Sequence, residues 1–277
     1  MSKLAVVSLA LVALAALAGP PDPARAGGPI AVAAHRGGAL LWPENSLLAF
    51  ANAVTLGADY LELDVHLSRD GELVVIHDPT LERTTTGAGP VRGQTAAELR
   101  ALFLKDRGGT ATAERIPLLD EVVRLAAAGR RQLLLEIKVD ERAQRYPGIE
   151  EKVLALLDRH GMSASTVVMA FEGETWRRVR ELRPGQRICA LYSGRTLAAM
   201  GSTAARELEA AQRAGATDVG LQHALVTADI VAQAARLGVA LSAWTVNEPA
   251  AIDRVIQLGV GLVTSDRPDL VLKAAGR

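Results

Sequence analysis

Short runs of apolar residues alternate along the chain with longer segments in which apolar residues recur every three or four positions. The short runs are rich in Val, Leu and Ile and predict buried strands, whereas the longer, Ala-rich segments predict amphipathic helices. Nine strands are predicted, at residues 31–35, 59–66, 73–77, 133–138, 167–171, 187–192, 218–222, 240–246 and 261–265. Eight helices are predicted, at about residues 46–56, 117–128, 149–160, 174–182, 203–214, 228–237, 249–257 and 268–275.

The third predicted strand has a local explanation. Asp70-Gly71 lies between strands 59–66 and 73–77, and a glycine supplies the positive φ that a two-residue hairpin turn needs. The third strand therefore folds back on the second, which leaves eight strand–helix pairs. Such alternation indicates a parallel sheet, and eight pairs in roughly 250 residues predict an α/β fold, the (β/α)8 TIM barrel. An open doubly wound sheet is the alternative, but His35-Arg36-Gly37-Gly38 lacks the spacing of its phosphate loop.

One stretch, residues 79–116, interrupts the alternation with a run of threonines and paired glycines. A helix is predicted only at 95–104, where Thr95 and Glu98 have the spacing of a capping box. A long excursion on a barrel is typical of a loop that carries function. We therefore expect one barrel domain over residues 27–277, with 79–116 as a small insertion after the hairpin strand.

The first 26 residues have a different pattern. Lys3 precedes an apolar run at 4–17, and a helix-breaking Gly-Pro segment leads to Ala24-Arg25-Ala26. This pattern is typical of a secretory signal peptide, and the run is shorter than the roughly 20 residues that span a bilayer. We therefore expect cleavage after residue 26, a periplasmic or extracellular location and no stable membrane anchor in the mature protein.

The amino-acid composition limits the kinds of partner and cofactor that the protein is expected to bind. The chain has 31 Lys+Arg and 31 Asp+Glu, whereas a nucleic-acid binder needs a basic excess or stripe, so no nucleic-acid partner is expected. The single cysteine, Cys189, excludes an intramolecular disulfide and a multi-cysteine metal centre. The sequence leaves the oligomeric state open.

Charged side chains occupy strand positions that a barrel should keep apolar. Glu62, Asp64 and His66 alternate with apolar residues, so the three side chains share one face of the strand. Strands of a parallel barrel are covered on both sides and should be nearly continuous apolar runs. Two carboxylates in a barrel mouth would repel each other and burial would raise their pKa values, so a divalent cation is the expected partner. A solvated strand edge is the alternative.

A second strand, 133–138, ends with Glu136 and Lys138 on one face, at the end where barrels carry their chemistry. Glu136 can complete a three-carboxylate set with Glu62 and Asp64. Because all these ligands are oxygens, the predicted ion is Ca²⁺ or Mg²⁺. A buried ion pair between Glu136 and Lys138 is the alternative interpretation.

Two histidines follow strand ends, His35 after the first strand and His77 after the hairpin strand. Imidazole titrates near neutral pH, so two histidines beside a carboxylate cluster predict proton transfer. The other histidines lack such neighbours. We expect His160 on the surface, leave His223 unassigned and rank His66 below the carboxylates of its strand.

Nine segments of the chain recur together in one known family. They are His35-Arg36-Gly37-Gly38, Pro43-Glu44-Asn45-Ser46, Glu62-Leu63-Asp64-Val65, Asp70-Gly71, His77-Asp78, Leu81-Glu82-Arg83-Thr84-Thr85, Glu136-Ile137-Lys138, Ala243-Trp244-Thr245-Val246-Asn247 and Asp266-Arg267-Pro268. In combination they resemble the glycerophosphodiester phosphodiesterase family, here an exported bacterial member. The resemblance covers essentially all of the mature chain and implies a (β/α)8 barrel with a small insertion after the second histidine.

The resemblance also implies the roles of eight residues. These are a catalytic acid/base pair, His35 and His77; ligands of one divalent cation, Glu62, Asp64 and Glu136; and substrate-binding residues, Arg36, Lys138 and Trp244. Two departures from the family pattern are Ala170, where many relatives have serine, and Thr264-Ser265-Asp266, which has one residue more than the common Thr-Asp. We expect neither departure to touch the metal or histidine set.

The implied reaction hydrolyses a glycerophosphodiester, such as glycerophosphocholine, to sn-glycerol 3-phosphate and an alcohol. The sequence leaves open which histidine is the acid, whether a cyclic phosphate forms, which ion is native and which headgroup is preferred. A lysophospholipase D or sphingomyelinase D on the same barrel is the alternative, and its acyl chain would need an apolar approach. The insertion offers four candidate residues for that approach: Leu99, Leu102, Phe103 and Leu104. A non-catalytic exported binding protein is disfavoured because the whole catalytic set is present.

Overall fold

In the computed structural model, which describes residues 29–277, eight parallel strands form a closed ring. The strands, numbered along the chain, are β1 (Ala31–Ala34), β2 (Tyr60–Leu67), β3 (Leu73–Val75), β4 (Phe103–Lys105), β5 (Ala111–Arg115), β6 (Gln132–Ile137), β7 (Thr166–Ala170), β8 (Arg187–Tyr192), β9 (Asp218–Gln222), β10 (Ala240–Trp244) and β11 (Leu262–Ser265). The ring consists of β1, β2 and β6 to β11, and it closes because β1 pairs with both β2 and β11. The predicted barrel is confirmed.

Helices follow the ring strands. They are α1 (Leu47–Leu56), α2 (Ala96–Ala101), α3 (Leu119–Ala128), α4 (Ile149–Arg159), α5 (Gly173–Leu182), α6 (Gly194–Met200), α7 (Ala204–Arg213), α8 (Ala228–Leu237), α9 (Pro249–Gln257) and α10 (Pro268–Ala274). All eight predicted helices are present, with ends within two residues of the prediction. Helix α6 was not predicted, because it is short and buries only Leu197.

Alternation along β2 separates the two layers of the core. Leu61, Leu63 and Val65 point outward and join the large apolar cluster that includes side chains of the surrounding helices. Each such fully buried side chain contributes about 2 kcal/mol to folding. Tyr60 points inward, where a smaller cluster fills the barrel. That inner cluster consists of Ala31, Ala33, Tyr60, Leu134, Val167, Met169, Cys189, Leu191, Ala240 and Leu262.

Two residues show how tightly the barrel interior is filled. A Cβ atom on Gly220 would lie 2.6 Å from Cδ2 of Leu191, so a larger residue at that point of β9 would displace the Leu191 side chain. The Cys189 side chain is buried in the same region, and burial raises the pKa of its thiol well above the usual value.

The hairpin and the insertion complete the fold. Strand β3 pairs antiparallel with β2, as predicted. Thr95 Oγ1 accepts a hydrogen bond from the Glu98 amide in the predicted capping box. The predicted helix at 95–104 is too long, however, because α2 ends at Ala101 and the next residues form β4. Strand β4 pairs with β5, and the Phe103 carbonyl of β4 accepts a hydrogen bond from the Thr86 amide. The insertion and the hairpin enclose a separate small core of Val74, Ile76, Leu81, Val91, Leu99, Leu104 and Ile116.

The predicted signal peptide, residues 1–26, lies outside the described part of the chain. Within residues 29–277, none of the helices combines the length and the hydrophobicity that a membrane span requires.

Candidate active site

A cavity of about 130 Å³ lies at the carboxyl end of the barrel strands. Seven of the eight predicted site residues line it: His35, Arg36, Glu62, His77, Glu136, Lys138 and Trp244. The eighth, Asp64, lies in the carboxylate cluster beside it. The fold therefore brings together all the residues that the sequence singled out.

The three predicted metal ligands form one buried cluster. Glu62 and Asp64 are two residues apart on β2, and Glu136 is the register partner of Asp64 on the neighbouring strand β6. Each residue offers one oxygen, and the three oxygens lie within 4.8 Å of one another. Asp64 Oδ1 is buried and has no hydrogen-bond partner among residues 29–277. An all-oxygen set with a buried carboxylate oxygen that accepts no hydrogen bond fits a hard divalent cation.

The surroundings shift the pKa values of Glu62 and Asp64 in opposite directions. Burial raises the pKa of Glu62 to about 8, against the opposing effect of His35, and the nearby Asp64 and Glu136 raise it further. Burial also acts to raise the pKa of Asp64, but Lys138 and other cations hold it well below its usual range. The predicted rise in pKa is thus confirmed for Glu62 and wrong for Asp64. A bound cation would offset the charge that disfavours ionised Glu62.

Lys138 is both an ion-pair partner and a cavity residue. Its Nζ lies 2.7 Å from Oε1 of Glu136 and 3.4 Å from Oδ1 of Asp64. Burial works to lower the pKa of Lys138, but these carboxylates outweigh burial and raise it, so the group remains an ammonium. The predicted alternative of an ion pair therefore exists alongside the carboxylate cluster. Because an ammonium has three donors, Lys138 can keep this contact and still meet a phosphate oxygen.

Each predicted catalytic histidine has a carboxylate of its own. Nδ1 of His35 lies 2.6 Å from Oδ1 of Asp266, and Nδ1 of His77 lies 2.6 Å from Oδ1 of Asp78. Nδ1 therefore carries the hydrogen in both rings, which leaves Nε2 for proton transfer. Neither aspartate was predicted as a site residue, although Asp78 adjoins His77 in sequence. The expectation that the Thr264-Ser265-Asp266 departure stays clear of the histidines is wrong, because Asp266 binds His35.

Each histidine with its aspartate forms a dyad, and Asn247 holds the aspartate of the His35 dyad in place. Asn247 Nδ2 donates to Oδ2 of Asp266 at 2.7 Å, and Asn247 Oδ1 accepts from the Asp266 amide at 2.9 Å. Burial acts to lower the pKa of His35, but Glu62 and Asp266 outweigh it, and the net effect raises the pKa above 6.5. The ring is thus held in one orientation beside carboxylates that favour its protonated form.

Arg36 lies in a strained turn between β1 and the cavity. Its φ is +52°, and its amide donates to Oε2 of Glu62 at 2.8 Å. Its Nη1 donates to Glu44 at 3.0 Å, and Glu44 also accepts two hydrogen bonds from Arg83 of the insertion. Arg83 Nε in turn donates to Asp78 at 2.6 Å. Glu44 and Arg83, which lie in two of the family-like segments but were given no site role from the sequence, thus connect the insertion to the His77 dyad.

His66 has a different role from its strand neighbours. It is fully buried, and burial lowers its pKa to about 4, so the ring is neutral. Its Nδ1 lies 2.9 Å from the Tyr146 hydroxyl and its Nε2 lies 3.1 Å from the His77 carbonyl oxygen. The tautomer that satisfies both contacts accepts at Nδ1 and donates at Nε2. His66 therefore fixes the backbone of the proposed catalytic residue His77.

The remaining histidines lie outside the cavity. His160, at the end of α4, is partly exposed, and its Nε2 lies 2.7 Å from Asp120. His223 follows β9, and its buried Nδ1 has no hydrogen-bond partner among the described residues. Neither lines the cavity.

Trp244 forms an apolar wall of the cavity. Its ring meets Phe171 edge-to-face, with centroids 5.5 Å apart and planes at 90°. Its buried Nε1 has no hydrogen-bond partner within residues 29–277. The residue therefore packs against the barrel interior and lines the cavity with its ring.

The apolar approach suggested for a lipid substrate is not found at the four leucine and phenylalanine positions. Leu99 and Leu104 are buried in the small core of the insertion. Phe103 is exposed on the surface of the insertion, with the Arg115 guanidinium 3.4 Å from its ring centroid. None of these residues, nor Leu102, is among those that line the cavity.

A sequence model of the glycerophosphoryl diester phosphodiesterase family matches residues 35–270. The chain belongs to this family. The match spans the first histidine, both carboxylate strands and the closing Asp266 segment, and it assigns the chain to the phosphodiester hydrolases.

Individual members of the family agree with this assignment. The chain is 34% identical over 242 residues to a glycerophosphodiester phosphodiesterase of Caldanaerobacter subterraneus, covering 87% of this chain and 96% of that one. It is 30% identical to one of Bacillus subtilis, covering 88% and 86% of the two chains.

Two solved structures share the fold. A glycerophosphodiester phosphodiesterase of Agrobacterium tumefaciens matches with a TM-score of 0.72 at 26% identity over 90% of this chain and 100% of that one. A phosphodiesterase of Oleispira antarctica, in complex with the product sn-glycerol-3-phosphate, matches with a TM-score of 0.76 at 25% identity over 89% and 97%.

Proposed function

We propose that this protein hydrolyses glycerophosphodiesters to sn-glycerol 3-phosphate and an alcohol, with His35 and His77 as the acid/base pair and one divalent cation at the carboxylate cluster. One observation carries the proposal: two histidine–aspartate dyads and a buried three-carboxylate cluster meet at a single cavity. The product bound to the Oleispira antarctica relative supports the choice of substrate.

Phosphate binding follows from the cations of the cavity. A phosphodiester is an anion, and a nucleophile that approaches it needs that charge to be offset. Arg36 Nε is buried, lies 3.6 Å from Oδ2 of Asp64 and has no hydrogen-bond partner among the described residues, and Lys138 has donors to spare. Glu62, Asp64 and Glu136 would hold Ca²⁺ or Mg²⁺, which supplies Lewis-acid stabilisation of negative charge when bound.

Proton transfer follows from the two dyads. Hydrolysis requires one group that takes a proton from the attacking nucleophile and another that gives a proton to the leaving alkoxide. His35 and His77 serve these two roles through Nε2, while Asp266 and Asp78 hold Nδ1 and stabilise each ring when it is charged. Trp244 lines the cavity and would pack its ring against the glycerol carbons.

Chelation tests the cation. Exhaustive chelation should abolish activity, and Ca²⁺ or Mg²⁺ should restore it, because ionised Glu62 is otherwise disfavoured. Full activity with no metal detected by elemental analysis would contradict the proposed site.

Two kinds of substitution test the division of roles. Glu62→Gln and Asp64→Asn should lose metal affinity and rate together, because an amide keeps the shape but removes the charge. His77→Ala should lose rate while it still binds metal. Calorimetric metal titration distinguishes these cases, and loss of metal binding in His77→Ala would show that this histidine is a ligand.

A substrate panel tests the glycerol requirement. We expect hydrolysis of glycerophosphocholine, little action on bis(p-nitrophenyl) phosphate, which has no glycerol, and slower release of choline from lysophosphatidylcholine. The products should be sn-glycerol 3-phosphate and the free alcohol. Formation of glycerol and a phosphoalcohol would overturn the proposal.

We also propose that the protein is exported to the periplasm or beyond, where deacylated phospholipids would be its source of substrate. Mass spectrometry of the mature protein should find an N-terminus at residue 27. Intact Met1 on the active protein would contradict this.

A further inference from the structure

A second depression adjoins the catalytic cavity where the insertion meets the loop after β1. We call this depression the rim groove; its volume is about 460 Å³ and it shares His35, Arg36 and Thr245 with the cavity. The cavity itself, at about 130 Å³, is well below the roughly 300–1,000 Å³ that encloses a drug-sized ligand. It therefore holds only part of a glycerophosphodiester, and the rim groove is the continuous space for the rest.

A buried hydroxyl without a partner lines the rim groove. Thr84 is only 6% exposed, and its Oγ1 has no hydrogen-bond partner among residues 29–277. A buried polar group in this state is costly unless a ligand or water satisfies it. Its backbone carbonyl accepts from the Lys105 amide at 2.8 Å, so Thr84 and Lys105 are held next to each other.

The insertion side of the rim groove also carries positive charge that no acidic group neutralises fully. Lys105 Nζ donates to the Glu82 carbonyl at 2.9 Å, and within the described chain neither Lys105 nor Arg107 forms an ion pair. Asp106 lies between them and accepts from the Thr110 amide at 2.9 Å, which leaves an excess of one positive charge in this segment. Arg36 and Arg83, in contrast, are both paired with Glu44.

The rim groove also has an apolar lining. Leu40 and Trp42, both half-buried, belong to the loop after β1 and line it together with the polar groups of the insertion. A carbon skeleton that bears an anionic group matches this combination of surfaces. A small cationic alcohol does not match the excess of positive charge.

We infer that the rim groove binds the alcohol portion of the substrate, and that Thr84, Lys105 and Arg107 favour an alcohol that carries a second phosphate group. The substrate class is therefore one in which two glycerophosphate units are joined through a shared alcohol. This inference rests on the proposed function, because it assigns the second half of the same substrate.

The test compares two substrates that differ only in the leaving alcohol. In glycerophosphoglycerol the alcohol is glycerol, and in bis(glycerophospho)glycerol it is glycerol that carries a second phosphodiester. We expect wild-type kcat/KM to favour the second substrate by about tenfold at low salt, well beyond the factor of two that its two equivalent bonds provide. The preference should weaken at roughly 1 M salt, where charges further apart than ~3 Å are screened.

The double variant K105Q/R107Q should bring this ratio down roughly fivefold, as expected for two partly exposed charge contacts. Glycerophosphoglycerol should be hydrolysed at the wild-type rate. Thr84→Val, which keeps the side-chain shape and removes only the hydroxyl, should reduce the ratio without loss of folding. Lys105→Arg should retain the preference, and the control Arg206→Gln, a charge loss on α7 outside the rim groove, should leave it unchanged.

The measured rates distinguish failure of this inference from failure of the proposed function. If the wild type hydrolyses neither substrate, the proposed function fails. If it hydrolyses both at rates that differ by no more than the factor of two, the inference fails and the proposed function stands. If K105Q/R107Q slows both substrates equally, the two side chains act on the shared diester, which also overturns the inference.

Discussion

Each proposed catalytic histidine depends on one aspartate that accepts its Nδ1 hydrogen. Asp266 reaches His35 from the opposite end of the chain, and Asn247 holds both the carboxylate and the amide of Asp266. Replacing the carboxylate therefore changes the hydrogen-bonding pattern of the ring more than it changes the shape of the site.

Asp266→Asn should lower kcat by roughly a hundredfold or more, because an amide can donate to Nδ1 and stabilise the wrong tautomer. Metal affinity should be unchanged, since Asp266 is not in the carboxylate cluster. Steady-state kinetics with a parallel metal titration check this. The neighbouring Asp269→Asn, which weakens a half-buried ion pair with Arg267, is the control. Equal kcat in the two variants would dismiss the dyad.

His66 acts on His77 through the backbone: its Nε2–H donates to the His77 carbonyl, which sets the tautomer, and the Tyr146 hydroxyl donates to its Nδ1. Tyr146→Phe should lower kcat roughly tenfold with little change in KM, because the ring can then lose its hydrogen bond to the His77 carbonyl and the catalytic side chain shifts. Nitrogen NMR of the histidines should show His66 leaving its Nε2–H form. Tyr192→Phe, which removes another buried tyrosine hydroxyl, should affect neither measurement. An unchanged His66 tautomer together with reduced kcat would refute the positioning role.

At the scale of elements, the turn between β1 and α1 brings Arg36 to the cluster and requires glycine. Gly37 has φ of +81°, and a Cβ atom there would lie 2.7 Å from the Ala49 Cβ. Gly57, at the other end of α1, also has a positive φ, +97°, but a Cβ atom there would meet nothing within 4 Å.

This pair of glycines separates backbone strain from steric clash. Gly57→Ala should reduce the free energy of unfolding by about 1 kcal/mol, the cost of a left-handed backbone for alanine. Gly37→Ala should reduce it by about 3 kcal/mol, because overpacking adds to the same strain. Urea denaturation of both variants provides the measurement. Similar losses in the two would mean that the β1–α1 turn relaxes around the new methyl group.

The elements that the sequence predicts well are those whose pattern is local. Strand β2 was predicted because Leu61, Leu63 and Val65 alternate with other side chains, and the barrel buries that alternation on both faces. Helix α6 was missed because seven residues with one buried side chain, Leu197, show no periodicity. The β4–β5 hairpin was missed because its residues alternate only weakly and pair partly with the threonine loop of the insertion.

The charged residues of the site could be predicted from the sequence, whereas the hydrogen bonds and ion pairs that hold them in place could not. Glu62, Asp64 and Glu136 were found because carboxylates are unusual in barrel strands. Asp266 meets His35 only through the closure of the ring, and Glu44 meets Arg83 only because the insertion folds over the β1–α1 loop. Such contacts join distant parts of the chain, so neither spacing nor periodicity signals them.

At the scale of the whole molecule, the metal ligands come from two neighbouring strands that separate when the ring unfolds. A cation that binds only the folded protein at a hundred times its Kd adds about 2.7 kcal/mol of stability. Ca²⁺ or Mg²⁺ should therefore raise the thermal unfolding midpoint of the wild type, and Asp64→Asn should lose this shift. The control Asp253→Asn, on the surface of α9, should keep it. A shift that persists in Asp64→Asn would place the stabilising ion elsewhere.

The single thiol inside the barrel can also be used to detect opening of the barrel. Cys189 is sealed among the inner side chains, and its raised pKa leaves almost no thiolate to react while the ring is closed. The rate at which a thiol reagent labels the native protein therefore measures how often the barrel opens. Two copies can be joined through Cys189 only after both have opened. In an oxidising environment, disulfide-linked pairs on a non-reducing gel therefore come from molecules whose barrels have opened.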